Sequence, residues 1–228
     1  MFQMWSPDGK VLAYHSHRSP SPVTSYRAPG STDGIWILDS ESGLEQMLVN
    51  PGIETCMCDW SPHGRKMVFT TIAEGDDKHA PWIFEYSNQK DQKGTISRVP
   101  TGELDGDVLV AIWSPLGNEI AFEEDLGGFK RVIWVVNLDN KTKRRIVEYT
   151  CFARWGGLDF SNDGKHIYYS ALTEGHHQIF KISLNSKHKV QITNHDREVI
   201  YPQVSPDGNY IACSVYEHRK EIWSAILK

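Results

Sequence analysis

Apolar residues in this chain come in short runs, each closed by a cluster of Ser, Pro, Asp, Asn or Gly. The stretch 158–193 carries the pattern in full. A short strand runs into Phe160, and Ser161-Asn162-Asp163-Gly164 then turns the chain. Asp and Asn side chains bond their own backbone and Gly accepts positive φ, so this phrase predicts a tight hairpin. Residues 167–170 form a second strand rich in β-formers, 173–177 a turn, 178–185 a third strand, Lys187-His188 another turn, and 190–193 a fourth strand. Four antiparallel strands joined in this way make one sheet.

The phrase around the first turn returns along the whole chain: MWSPDGKVLAYHS (4–16), DWSPHGRKMVFTT (59–71), IWSPLGNEIAFEE (112–124), DFSNDGKHIYYSA (159–171) and QVSPDGNYIACSV (203–215). Its anchors Trp5, Trp60, Trp113, Phe160 and Val204 stand 44 to 55 residues apart, and for strand-built units that is a propeller period. The expected fold is all-β: one β-propeller domain over 1–228, of about five four-stranded blades near 1–50, 55–100, 108–148, 155–193 and 199–228. The last blade stops at its third strand, IWSAIL (222–227), and lacks an outer one. Third strands repeat an aromatic at Trp36, Trp82 or Phe84, Trp134, Phe180 and Trp223. Matched repetition assigns these to packing between blades, and the anchor aromatics are expected to plug the gap to the next blade.

Composition narrows the class. Hydrophobic residues make up 39% and charged residues 23% of the 228, an ordinary globular balance. No apolar run reaches the length of a membrane span. No basic region followed by an apolar stretch opens the sequence, so a cytoplasmic location is expected as written, with a longer periplasmic or secreted parent left open. The net charge of −5 argues against a general nucleic-acid binder. The basic cluster Lys141, Lys143, Arg144 and Arg145 falls at a hairpin and reads as a solvated turn. Cys56 and Cys58 form C-x-C, on one side of a strand, and read with Cys151 and Cys213 as buried free thiols.

W-S-P-D-G-x-x-hydrophobic-Ala-aromatic, followed by an Ile-Trp or Ile-Phe third strand, resembles the WD-repeat-like (PD-type) β-propeller repeat of TolB and its relatives. The same repeat occurs in the propeller domains of prolyl-oligopeptidase-type peptidases and in oligogalacturonate lyase. ITNHDREVIYPQVSPDG (192–208) resembles the junction between two such blades. The resemblance implies the fold. It carries no activity with it, because function on a common fold lives in the site. TolB has a separate N-terminal domain, which this stretch does not contain. The peptidases carry a G-x-S-x-G nucleophile elbow, which this sequence lacks.

Strand direction sorts the loops. The S-P-D-G turns and the turns between third and fourth strands share a bottom face. Loops between second and third strands, and those between blades, share a top face. The long segment 15–34 belongs to the top, and long loops on rigid scaffolds tend to carry binding. Candidate ligand-binding residues there are His15, His17, Arg18, His79, Glu124, Arg154, Trp155, His177, His195, Asp196, Arg197 and Arg219. No metal or cofactor is assigned, since His15-x-His17 has no defined third ligand. The leading functional expectation is a non-catalytic scaffold that binds a protein or peptide, with neither nucleic acid nor membrane as partner. The alternatives are a carbohydrate-active lyase or hydrolase using top-face His, Arg and acids with a divalent metal, or a fragment of a multidomain propeller protein. An unpaired outer edge at 222–227 also suggests a homodimer.

Overall fold

A computed structural model describes residues 3–18, 32–49, 52–73, 75–86, 94–152, 157–216 and 220–226. All regular structure among them is strand, in five antiparallel sheets ordered along the chain. Blade one is β1 (Gln3–Trp5), β2 (Val11–Arg18), β3 (Thr32–Asp39) and β4 (Glu45–Val49). Blade two is β5 (Gly52–Trp60), β6 (Lys66–Ala73), β7 (Ala80–Glu85) and β8 (Thr95–Arg98). Blade three is β9 (Asp107–Trp113), β10 (Glu119–Asp125), β11 (Lys130–Asn137) and β12 (Lys143–Thr150). Blade four is β13 (Leu158–Phe160), β14 (His166–Thr173), β15 (His176–Ser183) and β16 (Lys189–Gln191). Blade five has three strands, β17 (Glu198–Val204), β18 (Tyr210–Tyr216) and β19 (Lys220–Ile226), with β19 at the edge. The propeller arrangement and the three-stranded last blade are as expected.

The repeated turn works through its own side chains. In blade one the Ser6 hydroxyl donates to Asp8 at 2.6 Å, Asp8 accepts the N–H of Lys10 at 3.1 Å, and Ser6 Oγ accepts the N–H of Val11 at 2.9 Å. Gly9 closes the turn at φ 71°, a region a side chain would strain. The same bonds recur at Ser161 and Asp163 in blade four. This phrase is a hairpin device, as its sequence suggested.

The core lies between blades. Four apolar clusters fill the junctions of blades one and two, two and three, three and four, and four and five. Trp60, Trp113 and Phe160 are buried in the first three of these. Each packs against the blade before it: the Trp60 indole N–H donates to the carbonyl of Met4 at 3.2 Å. The expected direction of the plug is therefore reversed, because the innermost strand of a blade lies under the inner strands of its predecessor. Trp5 has no predecessor among the described residues and is 55% exposed, against 6% for Trp113. Among the described residues, blades five and one share no packing comparable to the other junctions.

The third-strand aromatic is settled by register. Trp36, Trp82, Trp134, Phe180 and Trp223 pair with Tyr14, Phe69, Phe122, Tyr169 and Cys213, each nine residues after its anchor. Trp82, not Phe84, is thus the equivalent residue. A fourth-strand base covers three of these rings: Arg98 lies over Trp82, Lys143 over Trp134 and Lys189 over Phe180. Two other bases of the blade-three cluster make ion pairs instead, Arg144 with Glu119 at 2.8 Å and Arg145 with Glu148. Cys58, Cys151 and Cys213 are buried thiols in no disulfide. A register shift between Cys56 and Cys58 breaks the simple alternation on which the C-x-C reading relied, and the Cys56 side chain lies outside the described ones.

Candidate functional site

Two hollows belong to the propeller as a whole: the central channel and the top face. All five innermost strands line the channel, which holds a cavity of about 380 Å³. Met4, Asp59, Ile112, Asp159 and Gln203 face it, each one residue before its anchor. Asp59 accepts the N–H of Trp60 at 2.8 Å and that of Trp113 at 2.7 Å, so one carboxylate ties blade two to blade three. Asp159 does the same for blades four and five, accepting from Phe160 at 2.8 Å and Val204 at 2.7 Å. Burial pushes Asp59 up to about 6 and Asp159 up to about 7, the latter aided by the charge of Asp59. Beside them Tyr201 holds φ 57°, where β17 shifts register between Ile200 and Gln203. Neither aspartate was picked out from the sequence.

On the top face, several of the expected ligand residues bond the scaffold. His79 donates its backbone N–H to Asp107 at 2.6 Å, and its Nδ1 lies 3.0 Å from the same oxygen. Although burial pushes Asp107 upward, these bonds hold its carboxyl below the usual range. His177 repeats the arrangement one pair of blades on. Its N–H donates to Glu198 at 2.8 Å, its Nδ1 bonds the same carboxylate, and its Nε2 accepts the N–H of Phe152 at 2.9 Å. An Nε2 that accepts fixes the proton on Nδ1, which makes the ring a neutral bridge between three segments. Glu124 is 2% exposed. It accepts the N–H groups of Asp105 at 2.6 Å and Gly106 at 2.9 Å, and the Trp134 indole at 2.7 Å. His177 spends both ring nitrogens and Glu124 both carboxylate oxygens on the scaffold, and His79 its Nδ1.

A second buried network lies behind them. Glu123 bonds both Arg131 and the Tyr149 hydroxyl, and Arg131 also reaches Asp125 at 3.4 Å. Burial raises the Glu123 carboxyl against the pull of Arg131 and Tyr149.

The candidates that remain displayed are His195, Asp196 and Arg197. Buried Gln178 pins their loop: its amide N–H groups donate to the carbonyls of His195 at 2.9 Å and Arg197 at 3.0 Å. Its carbonyl accepts the N–H of His195 at 3.0 Å and the Thr193 hydroxyl at 2.8 Å. His195 Nδ1 stands 2.9 Å from Asp196, which is 88% exposed on its side chain. A polar hollow of about 260 Å³ beside the loop is lined by Glu174, His176, His195 and Asp196 among others. Gln178 was missed in sequence because a strand glutamine reads as an ordinary polar position. His15 is half-buried at the end of β2. The side chains of His17 and Arg18 lie outside the described ones, as do Arg154, Trp155 and Arg219 altogether. Among the described residues, no three His, Cys, Asp or Glu side chains group so as to hold a metal.

No family model matches the chain. It is 26% identical over 211 residues to a Bacillus subtilis protein described as the uncharacterized peptidase YuxL, covering 92% of this chain but 28% of that protein. Among solved structures, TolB from Acinetobacter baumannii superposes with a TM-score of 0.70 at 21% identity, covering 99% of this chain and 51% of TolB. Oligogalacturonate lyase in complex with manganese gives a TM-score of 0.71 at 14% identity, covering 99% of this chain and 64% of the lyase. The chain thus spans about half of TolB and under a third of the Bacillus protein.

Proposed function

Starting from a TolB-like propeller fold, we propose that this chain is a binding scaffold that receives a protein or peptide on its top face. The observation that carries this reading is the loop His195-Asp196-Arg197, exposed to solvent yet held from below by the four hydrogen bonds of Gln178. A rigid backbone that presents polar side chains binds at a smaller ordering cost than a loose one. Two of the top-face histidines are engaged in joining blades, His177 through both ring nitrogens and His79 through Nδ1.

Selection of a random peptide display library on the immobilised chain tests it. Specific peptides should be enriched and should lose binding when Asp196 and Arg197 become Ala. No enrichment, or enrichment unaffected by top-face changes, would sink the reading. The likeness to oligogalacturonate lyase keeps a carbohydrate lyase as the competitor. Incubation with polygalacturonate and manganese decides between them, since unsaturated-sugar absorbance would replace scaffold by lyase.

A further inference from the structure

Three apolar side chains stand in water on the top of blades three and four. Leu126 is 39% exposed, Phe129 57% and Phe152 52%. They are not scattered: the two phenyl rings meet edge to face with centroids 4.5 Å apart. Phe152 also meets the His177 ring edge to face at 6.0 Å.

The backbone holds both rings in place. Phe129 closes the hairpin between β10 and β11 after Gly127 and Gly128, and all three residues have positive φ, 67° at Phe129. The Phe129 carbonyl accepts the N–H of Cys151 at 3.0 Å, and the N–H of Phe152 is bound by His177. A side chain in this backbone region costs energy, and the ring held there stands out in solvent. Preorganised aromatic anchors of this kind are what binding hot spots are made of.

Charge surrounds the patch on two sides. The register that pairs Asp125 with Asp107 sets the hairpin beside the loop bearing Glu103 and Asp105. On the other side, Phe152 touches His177, which leads to Glu198 and Asp196. Lys78, Arg98, Lys130, Lys143 and Arg197 are the bases around it, Lys78 and Lys143 reaching the carbonyls of Asp105 at 2.7 Å and Glu103 at 3.0 Å. With Asp76, Asp77 and Glu174, which line the hollows on either side, acids outnumber these bases among the described residues.

We propose that Leu126, Phe129 and Phe152 are the anchor of a docking surface for an extended basic peptide segment. One large apolar side chain of the peptide lies against the phenyl pair, and its Lys or Arg residues meet the acids on either side. This inference rests on the top-face binding reading and narrows it to a partner chemistry.

The test uses a random peptide display library selected on the whole chain, with each enriched peptide then titrated by fluorescence anisotropy. Enriched sequences should combine an aromatic or large aliphatic residue with Lys or Arg. Phe129→Ala and Phe152→Ala should each weaken binding about tenfold, the scale of truncating a hot-spot side chain. Glu103→Lys with Asp196→Lys, which leaves the rings untouched, should weaken it as well, and the affinity should fall with salt. Leu116→Ser, on the exposed bottom turn of blade three, should change nothing. Peptides that bind the Phe variants as well as wild type, or that carry no bases, overturn this inference and leave top-face binding standing. A library with no enriched sequence overturns both.

Discussion

Oδ2 of Asp159 accepts the backbone N–H of Val204 at 2.7 Å, which ties the innermost strands of blades four and five across the channel wall. Burial raises this carboxyl to about 7, and its counterpart Asp59 to about 6, from an unfolded value of 3.8. A raised value means that the folded chain holds protons the unfolded chain has already lost. The stabilisation from these two groups is therefore full below the unfolded value and is lost as pH rises toward 6 to 7. Thermal midpoints should fall between about pH 4 and about pH 7 and level off above that, and Asp159→Asn should flatten that slope. An equally steep slope in the variant would remove Asp159 as its source.

The His177 clasp joins three segments, so its loss should exceed that of a single surface contact. His177→Ala leaves the N–H of Phe152 and the Glu198 carboxylate without their partner and should cost about 1–3 kcal/mol. Glu198→Ala should cost less alone. The double variant should fall short of the sum of the two, as expected for groups in one network. Urea titration of the four proteins measures this; strict additivity would mean that the two side chains act independently.

Position in the row of blades should decide what an anchor aromatic is worth. Trp113, 6% exposed between blades two and three, should cost about 3–5 kcal/mol on change to Ala. Trp5, 55% exposed, should cost under about 1 kcal/mol. Denaturant midpoints compare the two directly, and equal losses would mean that a covering surface exists over Trp5 in solution.

The Glu123–Arg131–Tyr149 network should tolerate no half-removal. Arg131→Ala strands a buried carboxylate and should destabilise by about 3–5 kcal/mol. Pairing it with Glu123→Gln should restore part of the loss, measured by the same titration. No recovery in the pair would indicate that Arg131 acts through packing alone.

The fold was legible because its signals are local. Ser6, Asp8 and Gly9 bond within one turn, so the turn can be read from adjacent letters and counted along the chain. The fasteners were not legible in that way, because each joins residues from different blades. The contact of His79 with Asp107, 28 residues away, is one of them. The signal was present in the repeats taken together: His79 and His177 stand three residues before Trp82 and Phe180, and Asp107 and Glu198 stand six before Trp113 and Val204. The matching positions at the other junctions are Asp33 with Glu54 and Arg131 with Arg154, which are like-charged and cannot form the same clasp. Phe129 and Phe152 escaped notice for a different reason. Nothing in a single sequence distinguishes a loop phenylalanine that is buried from one that is displayed.

Among the described residues, four junctions are filled and the ring of Trp5 is bare. There blades two, three and four are each gripped on both sides, and blades one and five on one side. In such a linear array stability is a sum over neighbours, and opening starts where a neighbour is missing. Amide exchange should therefore run as a gradient along the arc, slowest in β10, β11, β14 and β15 around the large apolar cluster of blades three and four, and fastest at β1 and β19. A continuous annulus has no such terminus and would exchange as one block. The topmost rung of that gradient coincides with the blades that carry Phe129 and Phe152, so the displayed rings ride on the part of the array that lets go last.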